Sequence, residues 1–166
     1  MTRPAFDQVP MLWERDGSFR DVVLVGAGAD GWHKLIRFAL AYRMTYKADG
    51  DEATFPGVSE VLQRDDASHC LSIWIGEAAA NCHFFLEDEI EFDLDPREVH
   101  GPKEHDVLLE FVERAAQALG VNASITPEGA QKSPFMTLNV QSMNWEVPGT
   151  DAWTISEERT MLPPVP

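Results

Sequence analysis

Basic residues and cysteines are scarce in this chain of 166 residues. It contains 13 Lys and Arg against 28 Asp and Glu, which gives a formal net charge of −15. Phosphate groups bind clustered Lys and Arg, so this balance argues against nucleic acid or an anionic membrane as a direct ligand. The two cysteines, Cys70 and Cys82, are too few for a disulfide framework, and we expect both thiols to be reduced.

Long apolar runs are also missing. No run approaches the roughly 20 residues that a membrane-spanning helix needs, and residues 1–10 lack the apolar core of a signal peptide. We therefore expect a cytoplasmic protein. Its 44% hydrophobic and 25% charged residues are typical of a soluble globular domain. The acidic balance permits a basic protein partner, although solubility alone would also explain it.

The segment 89–95 carries the sharpest pattern in the chain. Acidic residues alternate along it with Ile90, Phe92 and Leu94. Strand side chains alternate between faces, so the pattern predicts a half-buried strand with a carboxylate outer face. With two acidic residues from the preceding turn, these positions form a set that we call the acidic row: Glu87, Asp88, Glu89, Glu91, Asp93 and Asp95. These like charges repel one another, and binding of a cationic partner would explain why they are present. A solvated face or a protected sheet edge would be simpler explanations.

Periodicity and turn residues predict the element order ββ-α-β-α-βββ-α-ββ. Strands are expected over 11–14, 20–25, 44–47, 70–75, 79–86, 89–94, 122–126 and 135–140, and helices over 31–42, 56–64 and 102–119. Strand and helix do not alternate throughout. The order therefore favours a single α+β domain with a largely antiparallel sheet and about three helices packed on one face. The acidic row should lie on the other face or near an edge.

The ends of the chain are less regular than its middle. Two prolines and little periodicity predict a loose N-terminal arm over residues 1–10, followed by the α+β domain over 11–140. Residues 141–166 form an irregular C-terminal tail. Because Trp145 and Trp153 carry large apolar rings, we expect part of this tail to pack on the domain.

Three glycines, Gly26, Gly28 and Gly31, match the pattern G-x-G-x-x-G between a predicted strand and a predicted helix. Such a turn can hold a dinucleotide, and Asp49 lies near the position where an acid would meet the ribose. A tryptophan directly follows the third glycine, however, and the later chain has no further βα units. The competing interpretation is a glycine-rich turn with Asp30 as the helix cap. A small enzyme or nucleotide-binding protein that uses the Gly26–Gly31 turn is therefore the alternative hypothesis.

The sequence assigns no catalytic, cofactor-binding or metal-binding residue. His69-Cys70 and Cys82-His83 form a mirrored pair of zinc-ligand types, but neighbouring strand residues point to opposite faces. The acidic row lacks the loop of Asp and Asn around a glycine that calcium sites use. Neither a G-x-S-x-G nor an H-E-x-x-H motif is present. We therefore expect a protein that is not an enzyme and needs no cofactor.

Several stretches, taken together, carry a resemblance to a known family. They are Leu12–Ser18, Asn81–Phe85, Asp88–Asp93, Asp95–Val99 and Thr126–Glu128. The chain over residues 11–140 resembles small bacterial proteins of the immunity type, which accompany polymorphic or contact-dependent toxins. It departs from them at residues 28–31, where Gly-Ala-Asp-Gly replaces a polar helix start. The resemblance implies a cytoplasmic α+β protein that binds and neutralises a cognate toxin, often a basic nuclease, and it carries no catalytic residues.

The leading hypothesis is therefore a non-enzymatic, acidic protein-binding module, an immunity-type inhibitor of a basic bacterial toxin. Its partner-binding residues would be the acidic row, Glu87, Asp88, Glu89, Glu91, Asp93 and Asp95. Fast, salt-sensitive association and occlusion of a cationic active site would be the mechanism. A structural subunit that docks through its C-terminal tail is a further hypothesis. The oligomeric state stays open.

Overall fold

The computed structural model describes residues 3–149, and within them nine strands form one sheet beside three α-helices. The strands are β1 Arg20–Leu24, β2 Arg43–Ala48, β3 Asp51–Ala53, β4 His69–Ile75, β5 Ala78–Cys82, β6 Ile90–Leu94, β7 Ala123–Pro127, β8 Met136–Asn139 and β9 Asn144–Glu146. The helices are α1 Gly31–Ala39, α2 Val58–Gln63 and α3 Pro102–Leu119. The strand order is β3-β2-β4-β5-β6-β1-β7-β8-β9, and every neighbouring pair is antiparallel. The predicted α+β domain with an antiparallel sheet is confirmed.

Helix α3 has the bounds that its terminal residues predict. Pro102 occupies the first helical position, and Gly120 ends the helix in the left-handed conformation with φ 71°. Its buried stripe packs on the sheet, where the Phe111 ring meets the Phe92 ring of β6 edge-on at 5.8 Å. Within residues 3–149, no helix is both long and apolar enough to cross a membrane.

Strand β6 lies in the middle of the sheet, between β5 and β1. Its apolar residues Ile90, Phe92 and Leu94 are at most 1% exposed and face the helices. Glu91 and Asp93 therefore lie on the opposite face, where both are half-buried. The predicted strand with one apolar and one carboxylate face is confirmed. Protection of a sheet edge does not explain these carboxylates, because β6 is not an edge strand.

The predicted strand over residues 11–14 is wrong, because the structure forms a 3-10 helix over Pro10–Trp13. The fully buried guanidinium of Arg20 accounts for the difference. It donates to the backbone oxygen of Leu12 at 2.6 Å and to that of Glu14 at 2.7 Å, so these carbonyls are not available to a neighbouring strand. Leu12 and Trp13 are buried in the core from this position.

Strand β5 ends at Cys82, four residues earlier than predicted, and the chain leaves the sheet over residues 83–89. Phe84 adopts a positive φ of 58° there, and its ring packs on Trp32 at 4.5 Å. A continuous apolar run does not show whether its residues are buried in a strand or in a folded loop. The link between β5 and β6 is therefore a longer loop than the predicted turn at Glu87 and Asp88.

Both ends of the described chain are attached to α3. The guanidinium of Arg3 donates to both carboxylate oxygens of Glu113, at 3.0 Å and 2.6 Å, and Trp145 donates to the same carboxylate at 2.7 Å. His105 donates through Nε2 to the oxygen of Pro4. The arm that we expected to be loose is thus tied to the domain from residue 3 onwards. Trp145 packs as predicted, and Trp153 lies outside the described residues.

Candidate binding cleft

Polar side chains cross the middle of the sheet on the face opposite the helices. The strand register pairs Ser72 with Asn81, Asn81 with Asp93, Asp93 with Asp21, and Asp21 with Thr126. Residues directly opposite each other on neighbouring strands share a face and lie about 5 Å apart at Cβ. These five residues therefore form one polar line across β4, β5, β6, β1 and β7.

One half of this line is satisfied by hydrogen bonds. Ser72 donates to the Asn81 side-chain oxygen at 2.7 Å, and Asn81 donates to Asp93 Oδ1 at 3.0 Å. His83 Nε2 lies 2.7 Å from Asp93 Oδ2 and donates to it. This hydrogen bond to a carboxylate raises the pKa of His83 above its usual 6.5, against the opposing effect of partial burial.

Asp21 occupies the other half of the line and has far fewer partners. Its side chain is 6% exposed, and its Oδ2 accepts the Gly129 backbone N–H at 2.8 Å. None of the ion pairs found within residues 3–149 includes Asp21. Burial, followed by the nearby carboxylates of Asp93 and Glu128, raises the pKa of Asp21. The buried carboxylate of Asp21 thus faces that of Asp93, and no basic side chain among the described residues is paired with Asp21.

Thr126, the neighbour of Asp21 on β7, is also incompletely satisfied. Its side chain is fully buried, and its Oγ1 has no hydrogen-bond partner within residues 3–149. An unpaired buried hydroxyl costs about 1–3 kcal/mol. The second such atom among the described residues, His69 Nε2, lies on the helix side of the sheet beside Tyr46.

Two loops, over residues 83–89 and 128–134, turn this part of the sheet into a cleft. The loop over residues 128–134 covers β1 and β6, and its Gln131 amide donates to Glu89 at 3.1 Å and to Glu91 at 2.7 Å. Two cavities of about 340 and 460 Å³ lie beneath the loops. Both are lined by Asp21, Glu91 and Gly129, so we treat them as one space, the acidic cleft. Burial also raises the pKa of Glu91, to which Asp21, Glu89 and Asp93 contribute.

Aromatic residues form the mouth of the acidic cleft. Phe19 and Phe85 line its smaller part beside Asp21. The Phe85 ring is stacked on His83, with centroids 5.3 Å apart and planes 11° apart, although the residue is 72% exposed. Leu86 beside it is 52% exposed. An exposed apolar surface therefore adjoins a set of buried charges.

A larger cavity of about 530 Å³ lies between the β4–β5 turn and the start of α3. Its lining mixes Arg97 and Lys103 with Glu77, Glu98 and Glu104. These opposite charges give the cavity no preference for an anion or a cation, and it has no buried unpaired group. Each part of the acidic cleft is smaller than this cavity, but carboxylates dominate its lining: Asp21, Glu91, Asp93 and Glu128 stand against one lysine, Lys132, and His83.

The structure divides the acidic row into three parts. Glu87 and Asp88 are exposed in the loop before β6. Glu89, Glu91 and Asp93 are half-buried beside the acidic cleft or within it, each hydrogen-bonded to a neighbouring side chain. Asp95 lies apart from them, paired with Arg97 at 2.7 Å, and this guanidinium lowers the pKa of Asp95. The row is therefore not one continuous carboxylate surface.

Four residues of the cleft were not predicted: Asp21, His83, Phe85 and Glu128. Asp21 is next to apolar residues in an unremarkable strand, and its proximity to Asp93 depends on the pairing of β1 with β6. One signal was present in the sequence. A charged residue inside the run 20–25 must lie either in the core or on the polar face of the sheet. Asp21 could therefore have been considered together with the acidic row, which was predicted for such a face.

The three glycines of the G-x-G-x-x-G match serve the turn and the packing of α1. Gly26 and Gly28 have positive φ of 71° and 75°. A Cβ at Gly31 would lie 2.7 Å from Cβ of Ala27 and 2.9 Å from Cδ1 of Ile90. Strand β1 is antiparallel to both of its neighbours, so this turn lacks the parallel βαβ unit of a dinucleotide site.

Asp30 precedes α1 but makes no side-chain cap hydrogen bond, contrary to the prediction. Its carboxylate instead forms an ion pair with Lys34 at 3.0 Å, one turn further along. Both side chains are largely exposed, so the pair adds little stability. The start of α1 is held by burial of Gly31 and Trp32 and by the Trp32 indole, which donates to the backbone oxygen of Leu86 at 2.8 Å.

The mirrored His–Cys pairs are divided between the two faces of the sheet. Cys82 is fully buried opposite Leu71, and burial strongly raises the pKa of its thiol. His83 instead faces the acidic cleft. Within the part of the chain that the structure describes, no group of three or more His, Cys, Asp and Glu residues could hold a metal ion.

Comparison of the chain with models of protein families found no match. Comparisons with curated proteins and with solved structures likewise found none.

Proposed function

We propose that this protein is a non-enzymatic binding module that acts in the cytoplasm as an immunity-type inhibitor of a basic bacterial toxin. The observation that carries the proposal is the acidic cleft, in which Asp21 and Asp93 face each other with no Lys or Arg paired to either among the described residues. Directly opposed like charges destabilise a sheet. A cationic partner would turn this cost into binding free energy.

The surroundings of the cleft favour a protein as the partner. Phe85 and Leu86 expose apolar surface directly beside the charged groups. Protein interfaces combine aromatic anchors that exclude water with a few buried charged groups, and these anchors carry most of the binding energy. The net charge of −15 would speed association with a basic protein and make it sensitive to salt.

In this proposal, residues of the acidic row act on the partner both at the exposed rim of the cleft and inside it. Glu87 and Asp88 lie exposed at the rim, where charges steer the approach of a partner. Glu91 and Asp93 lie in or beside the cleft, where a charge pair is shielded from water and counts for more. Inhibition follows from occlusion, because a toxin whose cationic active site meets this surface has no access to its anionic substrate.

The proposal is tested by affinity capture from the lysate of the native organism, read by mass spectrometry at low and high salt. The wild-type bait is compared with Glu87→Lys/Asp88→Lys, which reverses two rim charges. The matched control is Asp51→Lys/Glu52→Lys, which reverses two exposed charges on the edge strand β3.

We expect a stoichiometric basic protein that is captured by the wild type and by the control. High salt or the rim variant should release it, and the purified protein should be toxic when it is expressed without the inhibitor. Capture of no such protein, or equal capture by the rim variant and the control, would contradict the proposal.

A further inference from the structure

We infer that the acidic cleft holds the guanidinium group of an arginine side chain presented by the partner. This assignment rests on the proposed function and names the group that the cleft recognises. Three features of the cleft support it: its charges, the aromatic residues at its mouth and an unpaired hydroxyl group beside it.

The charges of the cleft favour a cation, because its four carboxylates outnumber its basic side chains, Lys132 and His83. Asp21 and Asp93 are opposite each other across β1 and β6, and Glu91 lines the same space. The partners of Asp93 are the Asn81 amide and His83, whose imidazole can lose its charge. Within the part of the chain that the structure describes, Asp21 accepts one N–H, that of Gly129. Burial raises the pKa values of Asp21 and Glu91, because it disfavours their charged forms.

The mouth of the cleft selects a planar cation. The Phe85 ring is stacked on His83 and stays 72% exposed, and Phe19 lines the same part of the cleft. A guanidinium stacks on aromatic faces and can donate to two carboxylates in its own plane, whereas an ammonium is a compact, strongly hydrated charge. The volume of about 340 Å³ is sufficient for one side chain.

The unpaired hydroxyl of Thr126 independently indicates a ligand that carries hydrogen-bond donors. Thr126 is opposite Asp21 on the cleft side of the sheet, it is fully buried, and its Oγ1 has no hydrogen-bond partner among the described residues. A guanidinium has five N–H donors, more than one carboxylate can accept. An arginine that pairs with Asp21 therefore brings spare donors to the part of the sheet where an acceptor is unsatisfied.

The test is a titration of the ¹⁵N-labelled protein, followed by NMR, with the blocked tripeptide acetyl-Gly-Arg-Gly-amide. Its controls are the citrulline tripeptide, which has nearly the same shape without the charge, and the lysine tripeptide. We expect saturable shifts of the Gly129 and Thr126 amides with arginine, at least fivefold weaker binding of lysine, and no binding of citrulline.

The variant Asp21→Asn should abolish these shifts and retain the fold, because the Asn side-chain oxygen can still accept the Gly129 N–H. Asp51→Asn, on the exposed edge strand β3, should bind the arginine peptide like the wild type. Equal shifts with arginine and citrulline, equal affinity for lysine, or unchanged binding by Asp21→Asn would overturn the assignment.

Different results would contradict the inhibitor proposal and the arginine assignment. If a basic toxin is captured from lysate while the arginine tripeptide does not bind the cleft, the inhibitor stands and the arginine assignment is overturned. If the tripeptide binds as expected and no protein is captured, the guanidinium site is supported and the inhibitor proposal fails.

Discussion

Asp21 and Asp93 are paired directly across β1 and β6, in the middle of the sheet and on its helix-free face. Asp93 is held by Asn81 and His83, whereas Asp21 accepts one backbone N–H and is 6% exposed. Two carboxylates in this arrangement repel each other, and the pairing of His83 with Asp93 offsets this repulsion only in part. Stability of the fold therefore does not explain why an acid occupies position 21.

Replacement of Asp21 by Asn should stabilise the free protein at neutral pH. The substitution removes the repulsion and keeps an acceptor for the Gly129 N–H, so we expect the free energy of unfolding to rise by about 0.5–1 kcal/mol. Urea denaturation at pH 7.5 measures the change. Asp51→Asn is the matched control and should stay within about 0.5 kcal/mol of the wild type. A loss of stability in Asp21→Asn would show that the charge supports the fold.

His83 should make the stability of the domain decrease as the solution becomes more alkaline. Its folded-state pKa is raised above the usual 6.5, so the folded protein binds the proton more tightly than the unfolded chain. The resulting stabilisation is fully present below pH 6.5 and is lost as the pH rises through the raised pKa. We expect His83→Gln to flatten the decline in unfolding free energy between pH 6 and 9.

Asp93→Asn provides the control for this pH dependence, because it removes the carboxylate that raises the pKa of His83. It should flatten the same decline, and the double variant should behave like either single variant. An undiminished decline in His83→Gln would assign the pH dependence to another group.

Glu113 should be required to attach the segments around Arg3 and Trp145 to α3. Its side chain is 3% exposed and accepts hydrogen bonds from Arg3 and Trp145. Glu113→Ala leaves these donors unpaired, and we expect a loss of about 1–3 kcal/mol in urea denaturation. Glu110→Ala, on the exposed side of the same helix, should change stability by less than about 0.5 kcal/mol. Equal effects of the two variants would contradict this role.

Gly31 should be required for packing of α1 on β6 rather than for binding a nucleotide. A Cβ at this position would overlap Ala27 and the end of Ile90, so Gly31→Ala should cost about 1–3 kcal/mol. Ile90→Val removes one of the two overlapping atoms and should offset part of this loss in a double-mutant cycle. Addition of NAD, NADP, FAD or ATP should leave the melting temperature unchanged. A ligand at 100 times its Kd would stabilise the fold by about 2.7 kcal/mol, which would favour the nucleotide hypothesis.

Phe85 should contribute to partner binding and little to folding. Because the residue is 72% exposed, Phe85→Ser should change the free energy of unfolding by less than about 0.5 kcal/mol. As an aromatic anchor it should contribute more than about 1 kcal/mol to binding of the captured partner, measured by calorimetry. Leu40→Ser is the control, since Leu40 is 69% exposed at the end of α1. Equal affinities of the two variants would exclude Phe85 from the interface.

The sequence predicts those parts of the fold that local signals encode. Pro102 and Gly120 mark the ends of α3, and the alternation in 89–95 gives the two faces of β6. The strands β3 and β9 were missed because each has three residues, too few to establish an alternating pattern, so their pairing with β2 and β8 defines them.

The candidate site could be predicted only in part for the same reason. Glu91 and Asp93 were found from a local pattern, whereas Asp21 becomes a site residue only through the register of β1 with β6. Phe85 was assigned to a strand because an apolar run does not reveal that the chain leaves the sheet after Cys82. Sequence periodicity thus identifies a charged face, and strand pairing decides which charges meet.

The most direct test of the central claim, that Asp21 serves binding at the expense of stability, is one paired measurement. The affinity of the captured basic partner for the wild type and for Asp21→Asn is measured by calorimetry on the same samples whose unfolding is followed in urea. We predict that the variant unfolds at higher urea and binds the partner at least about tenfold more weakly, a loss of about 1.4 kcal/mol. A variant that binds with the affinity of the wild type would contradict the claim.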